Sequence, residues 1–149
     1  MNAKRVIAGL TGIGVLVCAA GLWFVWKKVT QLEERGVALS LKVAPGTVER
    51  MRMETEFNEL LDGEDIMSSL VGDCDLVSFY KAGSAEEAEE EARGRSRVYF
   101  HSPKRIFIVH QARRFERGEN DKIGRRLGEL FYEQVFESID QTKTSGGGS

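Results

Sequence analysis

The longest apolar segment of the chain covers residues 6–26, which carry no charged side chain. About 20 apolar residues are enough to cross a bilayer as a helix. Trp23 and Trp26 lie where the aromatic belt of a membrane helix meets the headgroups, and Lys27 and Lys28 follow directly. The pattern predicts a transmembrane anchor over residues 1–28, with these four side chains at the membrane interface.

A cleaved signal peptide is the alternative interpretation of this segment. A basic start precedes the apolar run, and the residues around Cys18 are a tolerable cleavage site. The run continues through Trp26, however, where a signal peptide would turn polar, and this favours a retained span. Basic residues flank both ends in nearly equal number, so the positive-inside rule leaves the orientation open.

Small residues on the span predict close contact with another membrane helix. Ala8 and Gly12 are spaced as a small-xxx-small pair, which lets two helix backbones approach closely. The span has no His and no acidic residue, so nothing in it indicates a haem ligand or a proton path.

The segment after the span is predicted as a stalk over residues 29–45. Its start fits a short helical continuation that ends at Gly36, and Pro45-Gly46 then breaks the chain. A small soluble domain over residues 46–141 is expected to follow.

Two short amphipathic helices are predicted at the start of this domain. The first begins at Thr47, ends at Gly63 and carries an apolar stripe at i, i+4, i+7 and i+8 (Met53, Phe57, Leu60 and Leu61). The second ends at Gly72.

Strand-forming residues come next. Residues 76–80 are short and β-prone, and the acidic run 85–92 is typical of a solvated loop or an exposed helix. Residues 97–101 and 106–110 are β-branched and aromatic, and they flank a Ser-Pro turn at residues 102–105. This pattern predicts a β-hairpin.

The last part of the chain is less clear. Residues 116–121 are predicted as a polar loop. Residues 123–139 repeat apolar side chains every four residues, as a helix does, but Gly124 and Gly128 weaken a helix, and the aromatic content also suits a strand. Residues 142–149 have the composition of a flexible tag linker. The fold class that follows is α+β: one N-terminal transmembrane helix, then short helices and a small antiparallel sheet.

Charge is segregated along the soluble part, although the whole chain has a net charge of only −2. Residues 54–91 are strongly acidic and residues 93–126 are strongly basic. The two blocks either face each other within the domain, or the basic block docks an acidic protein or anionic lipid. Arg113 and Arg114 follow the second hairpin strand, and we expect them to dock a partner.

No residue pattern indicates catalysis or a cofactor. His101 and His110 are too few to form a metal site by themselves, and acidic neighbours raise the pKa of the Cys74 thiol, which disfavours a nucleophile. Phosphate-binding loops are absent, and a single aromatic beside Arg113-Arg114 does not make a nucleic-acid platform. We therefore expect no catalytic, cofactor-binding or metal-binding residues, and no nucleic-acid partner.

The order of elements resembles a mitochondrial inner-membrane family. This family contains subunit 21 of the translocase of the inner membrane and the related cytochrome oxidase assembly factor. The similar stretches are residues 57–61 through 70–72, and residues 98–100 through 106–112, within a region of roughly residues 50–136. The resemblance implies a non-catalytic protein of the mitochondrial inner membrane that docks respiratory-chain complexes to import or assembly machinery.

The function predicted from these observations is that of a single-span, non-enzymatic subunit or assembly factor of a membrane complex. Its partners would be the bilayer and other membrane proteins, contacted through the span and the soluble domain. The alternative is a membrane-anchored binding or regulatory module elsewhere, whose basic face contacts anionic lipid or an acidic ligand.

Overall fold

The computed structural model describes residues 22–145, with side chains described for residues 22–135. Ala8, Gly12 and most of the predicted span lie outside the described residues. Within the described part, no helix combines the length and the apolar character needed to cross a membrane.

The described chain is α+β, with six α-helices and one three-stranded sheet. In chain order the elements are α1 (22–29), β1 (Leu32–Ser40), α2 (Thr47–Leu61), α3 (Glu64–Cys74), α4 (Leu76–Tyr80), α5 (Ala85–Arg95), β2 (Ser96–Ser102), β3 (Arg105–Arg113), a 3-10 turn (Arg114–Glu116) and α6 (Arg117–Ser145). The α+β class and the small antiparallel sheet predicted from the sequence are confirmed.

The sheet has the order β1-β3-β2, and both pairings are antiparallel. β2 and β3 form the predicted hairpin around Pro103-Lys104, with a register irregularity between Phe100 and Ser102. β1 pairs with β3 along its whole length, from Leu32 opposite Arg113 to Ser40 opposite Arg105.

One face of the sheet packs on helices, and the core lies between them. α6 contacts β1 and β3, α2 contacts β2, and α3 packs on α6. The largest fully buried apolar side chains come from all of these layers (Phe131, Leu61, Met67, Leu70, Leu76, Ile106, Ile108, Ile123 and Leu127). An antiparallel sheet commonly packs one face on the core and exposes the other face to solvent, as this sheet does.

The predicted helical stalk is wrong, because residues 32–40 form β1. The segment begins with three successive charged residues and Gly36, so its first half has no period-2 alternation; only from Val37 onward do apolar residues, Val37 and Leu39, alternate with small ones. It becomes a strand through its pairing with β3, which is contributed by the far end of the chain.

The prediction of a strand at residues 76–80 is also wrong, because Leu76–Tyr80 is the short helix α4. Asp75 and Lys81, on either side of it, have positive φ values of 49° and 57°. These left-handed residues turn the chain at both ends and prevent the segment from extending into a strand. α3 also continues through Gly72, where the second predicted helix stops, and ends at Cys74, with Asp75 as its C-cap.

The predicted polar loop at residues 116–121 is wrong: Glu116 ends the 3-10 turn, and residues 117–121 belong to α6, which starts at Arg117 and also includes the ambiguous segment 123–139. Gly124 and Gly128 face β1: a methyl group on Gly124 would overlap the carbonyl oxygen of Arg35, and one on Gly128 would overlap Val37. The glycines that weaken the helical pattern therefore permit the helix to lie directly on the strand. The acidic run 85–92, for which the sequence allowed a solvated loop or an exposed helix, lies in the helix α5.

Candidate interaction surfaces

The interface residues predicted from the sequence lie on α1. Trp23 is 64% exposed and Trp26 70% exposed, and neither is part of the core. The ammonium group of Lys27 lies 5.3 Å from the centre of the Trp23 ring, and that of Lys28 lies 5.9 Å from the Phe24 ring. Aromatic side chains beside lysines are typical of a helix end at the headgroup level.

The structure brings Arg113 and Arg114 to the same end of the domain as α1. Only Thr30 and Gln31 separate α1 from β1, and the backbone N–H of Arg114 donates to the Gln31 carbonyl at 3.1 Å. Both arginines are exposed, as expected. Phe115, between Arg114 and Glu116 in the 3-10 turn, is 61% exposed.

We define the α1-proximal rim as Arg113, Arg114, Phe115 and Arg117. Arg113 and Arg114 are predicted from the sequence, whereas Phe115 and Arg117 join them only in the structure. The sequence signal for these two residues is an aromatic side chain next to a basic pair, with a third arginine two residues later.

The acidic and basic blocks partly neutralise each other. Asp73 of α3 and Arg126 of α6 form an ion pair at 2.8 Å. Two further arginines pair with glutamates one turn earlier within α5 (Arg93 with Glu89, and Arg95 with Glu91). Arg114 instead lies 3.5 Å from Glu33 of β1, so the rim does not pair with the acidic helix.

The outer edge of β2 is sealed by side chains from α2. The Asn58 amide group donates to the Val98 carbonyl at 2.8 Å and accepts from the Val98 N–H at 2.8 Å. The Glu54 carboxylate accepts from the Phe100 N–H at 3.3 Å. Since these backbone groups point away from β3, α2 satisfies the edge as a neighbouring strand would.

The outer edge of β1 is open. Just beyond the two ends of β1, the Leu41 N–H donates to the Lys104 carbonyl and the Arg114 N–H donates to the Gln31 carbonyl. Because hydrogen-bonded and non-hydrogen-bonded pairs alternate along an antiparallel ladder, these two bonds show that the odd-numbered residues of β1 bond to β3. The even-numbered residues 32, 34, 36, 38 and 40 direct their N–H and C=O groups outward. Within residues 22–135, none of these outward groups has a hydrogen-bond partner. Such an edge is a template for another strand.

The solvated face of the sheet is held together by Glu34. Its carboxylate accepts from the Gln111 amide at 2.9 Å, from the Tyr99 hydroxyl at 3.1 Å and from Arg97. Partial burial opposes the charged form of Glu34, but these three donors outweigh it and lower the pKa of this carboxyl. The network therefore links all three strands on the face that no helix of residues 22–145 covers.

His110 is fully buried in the interior of the domain. Its Nε2 lies 2.8 Å from the Tyr80 hydroxyl and its Nδ1 lies 3.0 Å from the Ser96 hydroxyl. Burial, reinforced by the positive charge of Arg95, lowers the pKa of His110 to about 3. A neutral imidazole, with one donor and one acceptor, satisfies both hydroxyls, so this is a structural polar cluster.

The other two candidate residues also have ordinary environments. His101 is exposed, and its ring packs edge-on against Phe107 at 4.9 Å. Burial and the adjacent Asp73 raise the pKa of the Cys74 thiol, which confirms the direction expected from its neighbours. Among the residues that the structure describes, no group of three or more His, Cys, Asp or Glu side chains is arranged to hold a metal ion.

Comparison with protein-family models, with curated proteins and with solved structures found no match for this chain. The resemblance to the mitochondrial inner-membrane family stays a prediction, and the surfaces described above carry the functional argument.

Proposed function

We propose that this chain is a single-span, non-enzymatic docking subunit of a membrane protein complex. The open edge of β1 is the observation that carries this proposal. The two edges of the sheet differ: Asn58 and Glu54 bond to the outward backbone groups of β2, whereas the outward groups of β1 are unpaired within residues 22–135. The β1 edge is therefore suited to receiving a strand from a partner protein.

The position of β1 next to the predicted anchor supports the same role. β1 begins three residues after α1, whose exposed tryptophans and lysines have the character of a membrane interface. A partner strand added at this edge would belong to a protein in, or at the surface of, the same membrane. We place the complex in the respiratory chain or the import machinery of the mitochondrial inner membrane, on the basis of the family resemblance.

The perturbed titratable groups support a role without catalysis. His110 is uncharged and enclosed at neutral pH, and the Cys74 thiol is less acidic than a free thiol. Neither group has the pKa of a general base or nucleophile that works near neutral pH.

The anchor is tested by alkaline carbonate extraction of membranes that contain the full chain. The anchored protein stays in the membrane pellet, and deletion of residues 1–28 releases it. A full-length protein that washes off is peripheral, and that result refutes the anchor.

The docking edge is tested with Ala38→Pro. The Ala38 N–H points outward, so proline removes a donor that the partner strand needs while leaving the pairing with β3 intact. Ala38→Thr is the matched control, since it keeps the N–H and favours a strand. We expect comigration with a respiratory or translocase complex on native gels to be lost in Ala38→Pro and retained in Ala38→Thr. Unchanged comigration of Ala38→Pro would exclude this edge as the docking site.

A further inference from the structure

The 3-10 turn Arg114–Glu116 projects an apolar ring into solvent at one end of the domain. Phe115 is 61% exposed and does not belong to the core, in contrast to Phe131 and Phe57, which pack edge-on at 5.5 Å. An isolated exposed aromatic side chain is common, but this one directly follows Arg113 and Arg114 and is separated from Arg117 only by Glu116.

The turn lies at the end of the sheet where the predicted anchor joins the domain. Leu32 is paired with Arg113, and the next residue, Arg114, is hydrogen-bonded to Gln31. Gln31 is only two residues from the end of α1. The opposite end of the sheet, at the hairpin turn, is about 25 Å away along β3.

The arginines of the rim are only partly neutralised by protein groups. Arg113 and Arg117 are exposed and make no ion pair within the described part of the chain. Arg114 lies 3.5 Å from Glu33, but this carboxylate already holds Arg35 at 2.9 Å. The nearby Glu116 carboxylate accepts from the Arg113 backbone N–H, and Glu119 pairs with Lys122. With Lys27 and Lys28, the rim presents excess positive charge next to the end of α1.

We propose that the α1-proximal rim rests on an anionic lipid surface, with Phe115 inserted at the level of the headgroups. The inference rests on the proposed anchor, which brings a bilayer to this end of the domain. Basic side chains attract anionic headgroups, and an aromatic ring among them adds apolar contact, as in interfacial membrane anchors. The contact fixes the tilt of the domain, and so sets the direction in which the open edge of β1 faces.

The test uses the full chain in vesicles whose phosphatidylcholine is brominated in the upper acyl chain, which quenches nearby tryptophans. Trp23 and Trp26 of the unsubstituted chain report on the anchor itself. A second protein combines Trp23→Phe and Trp26→Phe with Phe115→Trp, so its emission reports on the rim alone. A third carries His101→Trp in the same background, as a control at the opposite end of the sheet.

Each protein is measured in neutral vesicles and in an equal mixture with phosphatidylglycerol. We expect the reporter at position 115 to be quenched strongly in anionic vesicles, weakly in neutral ones, and less as salt is added. The reporter at position 101 stays unquenched in both. Arg113→Glu with Arg117→Glu removes the quenching at position 115, whereas Lys104→Glu with Arg105→Glu, the same charge change at the other end, leaves it unchanged. Each basic residue contributes about fivefold to the association.

The experiment distinguishes failure of the proposed anchor from failure of the proposed lipid contact. If Trp23 and Trp26 are unquenched, the anchor is wrong and the rim contact falls with it. If they are quenched but the reporter at position 115 is not, or responds equally to neutral and anionic lipid, the anchor stands and the lipid contact is refuted. The latter result would favour an acidic protein as the occupant of the rim.

Discussion

His110 makes the stability of the domain depend on pH between about pH 5 and pH 8. In the unfolded chain its pKa is near 6.5, and in the folded domain it is about 3. Below pH 6.5 the unfolded chain binds a proton that the folded domain excludes, so folding stability falls as the pH falls. Between pH 8 and pH 5 the loss is about 2 kcal/mol, a sizeable part of the stability of a small domain.

The assay is chemical denaturation of the full chain in detergent micelles, followed by far-ultraviolet circular dichroism from about pH 8 to about pH 5. In His110→Gln we expect lower stability near pH 8, by about 1–3 kcal/mol, because the Tyr80 and Ser96 hydroxyls lose an aligned partner, and a smaller difference toward pH 5, where the unsubstituted chain itself is weakened. The pH dependence should nearly vanish. His101→Gln, at the exposed histidine, should keep the dependence of the unsubstituted chain. A flat profile in the unsubstituted chain, or an unaltered slope in His110→Gln, would refute the assignment of a buried neutral imidazole.

Two further predictions concern packing and the sealed edge. Gly124→Ala should destabilise the domain by about 1–3 kcal/mol in the same denaturation assay, because the added methyl group would overlap the Arg35 carbonyl. Gly94→Ala is the control: this position on α5 has open space around it, so the variant should be more stable by up to about 1 kcal/mol. A stabilised Gly124→Ala would contradict the close approach of α6 to β1. Asn58→Leu should lower the free energy of unfolding by about 1–3 kcal/mol, because both Val98 backbone groups lose their partner. The exposed edge should also promote aggregation, which light scattering measures. Equal scattering from the variant and the unsubstituted chain would show that α2 does not protect this edge.

The sequence supports the elements whose signals are local. The hairpin around Pro103 is predicted because alternating β-branched and aromatic residues flank a turn pair, and α2 is predicted because its apolar residues recur at helical spacing. Both elements form between neighbours in the chain, so the pattern and the structure agree.

The missed elements depend on contacts that a local pattern does not contain. β1 alternates only from Val37 onward, after a charged start, and is fixed by its pairing with β3. α4 has β-prone residues but is confined by Asp75 and Lys81 in the left-handed conformation. Gly128 weakens the helical pattern of α6, yet close packing on Val37 requires a glycine there. Of the candidate surfaces, Trp23, Trp26, Arg113 and Arg114 follow from composition, whereas the open edge of β1 becomes visible only once the register is known.

The pairing of β1 with β3 also determines how the domain is completed during synthesis. Residue 32 leaves the ribosome long before residue 113, its partner, so the first strand waits while α2 to α5 and the hairpin form. Contacts this distant in sequence close slowly compared with the local hairpin. For that interval β1 exposes two unpaired edges instead of one, which is the state most open to wrong strand pairing. Any truncation that removes β3 makes that state permanent, so the integrity of the N-terminal strand is decided near the C-terminus.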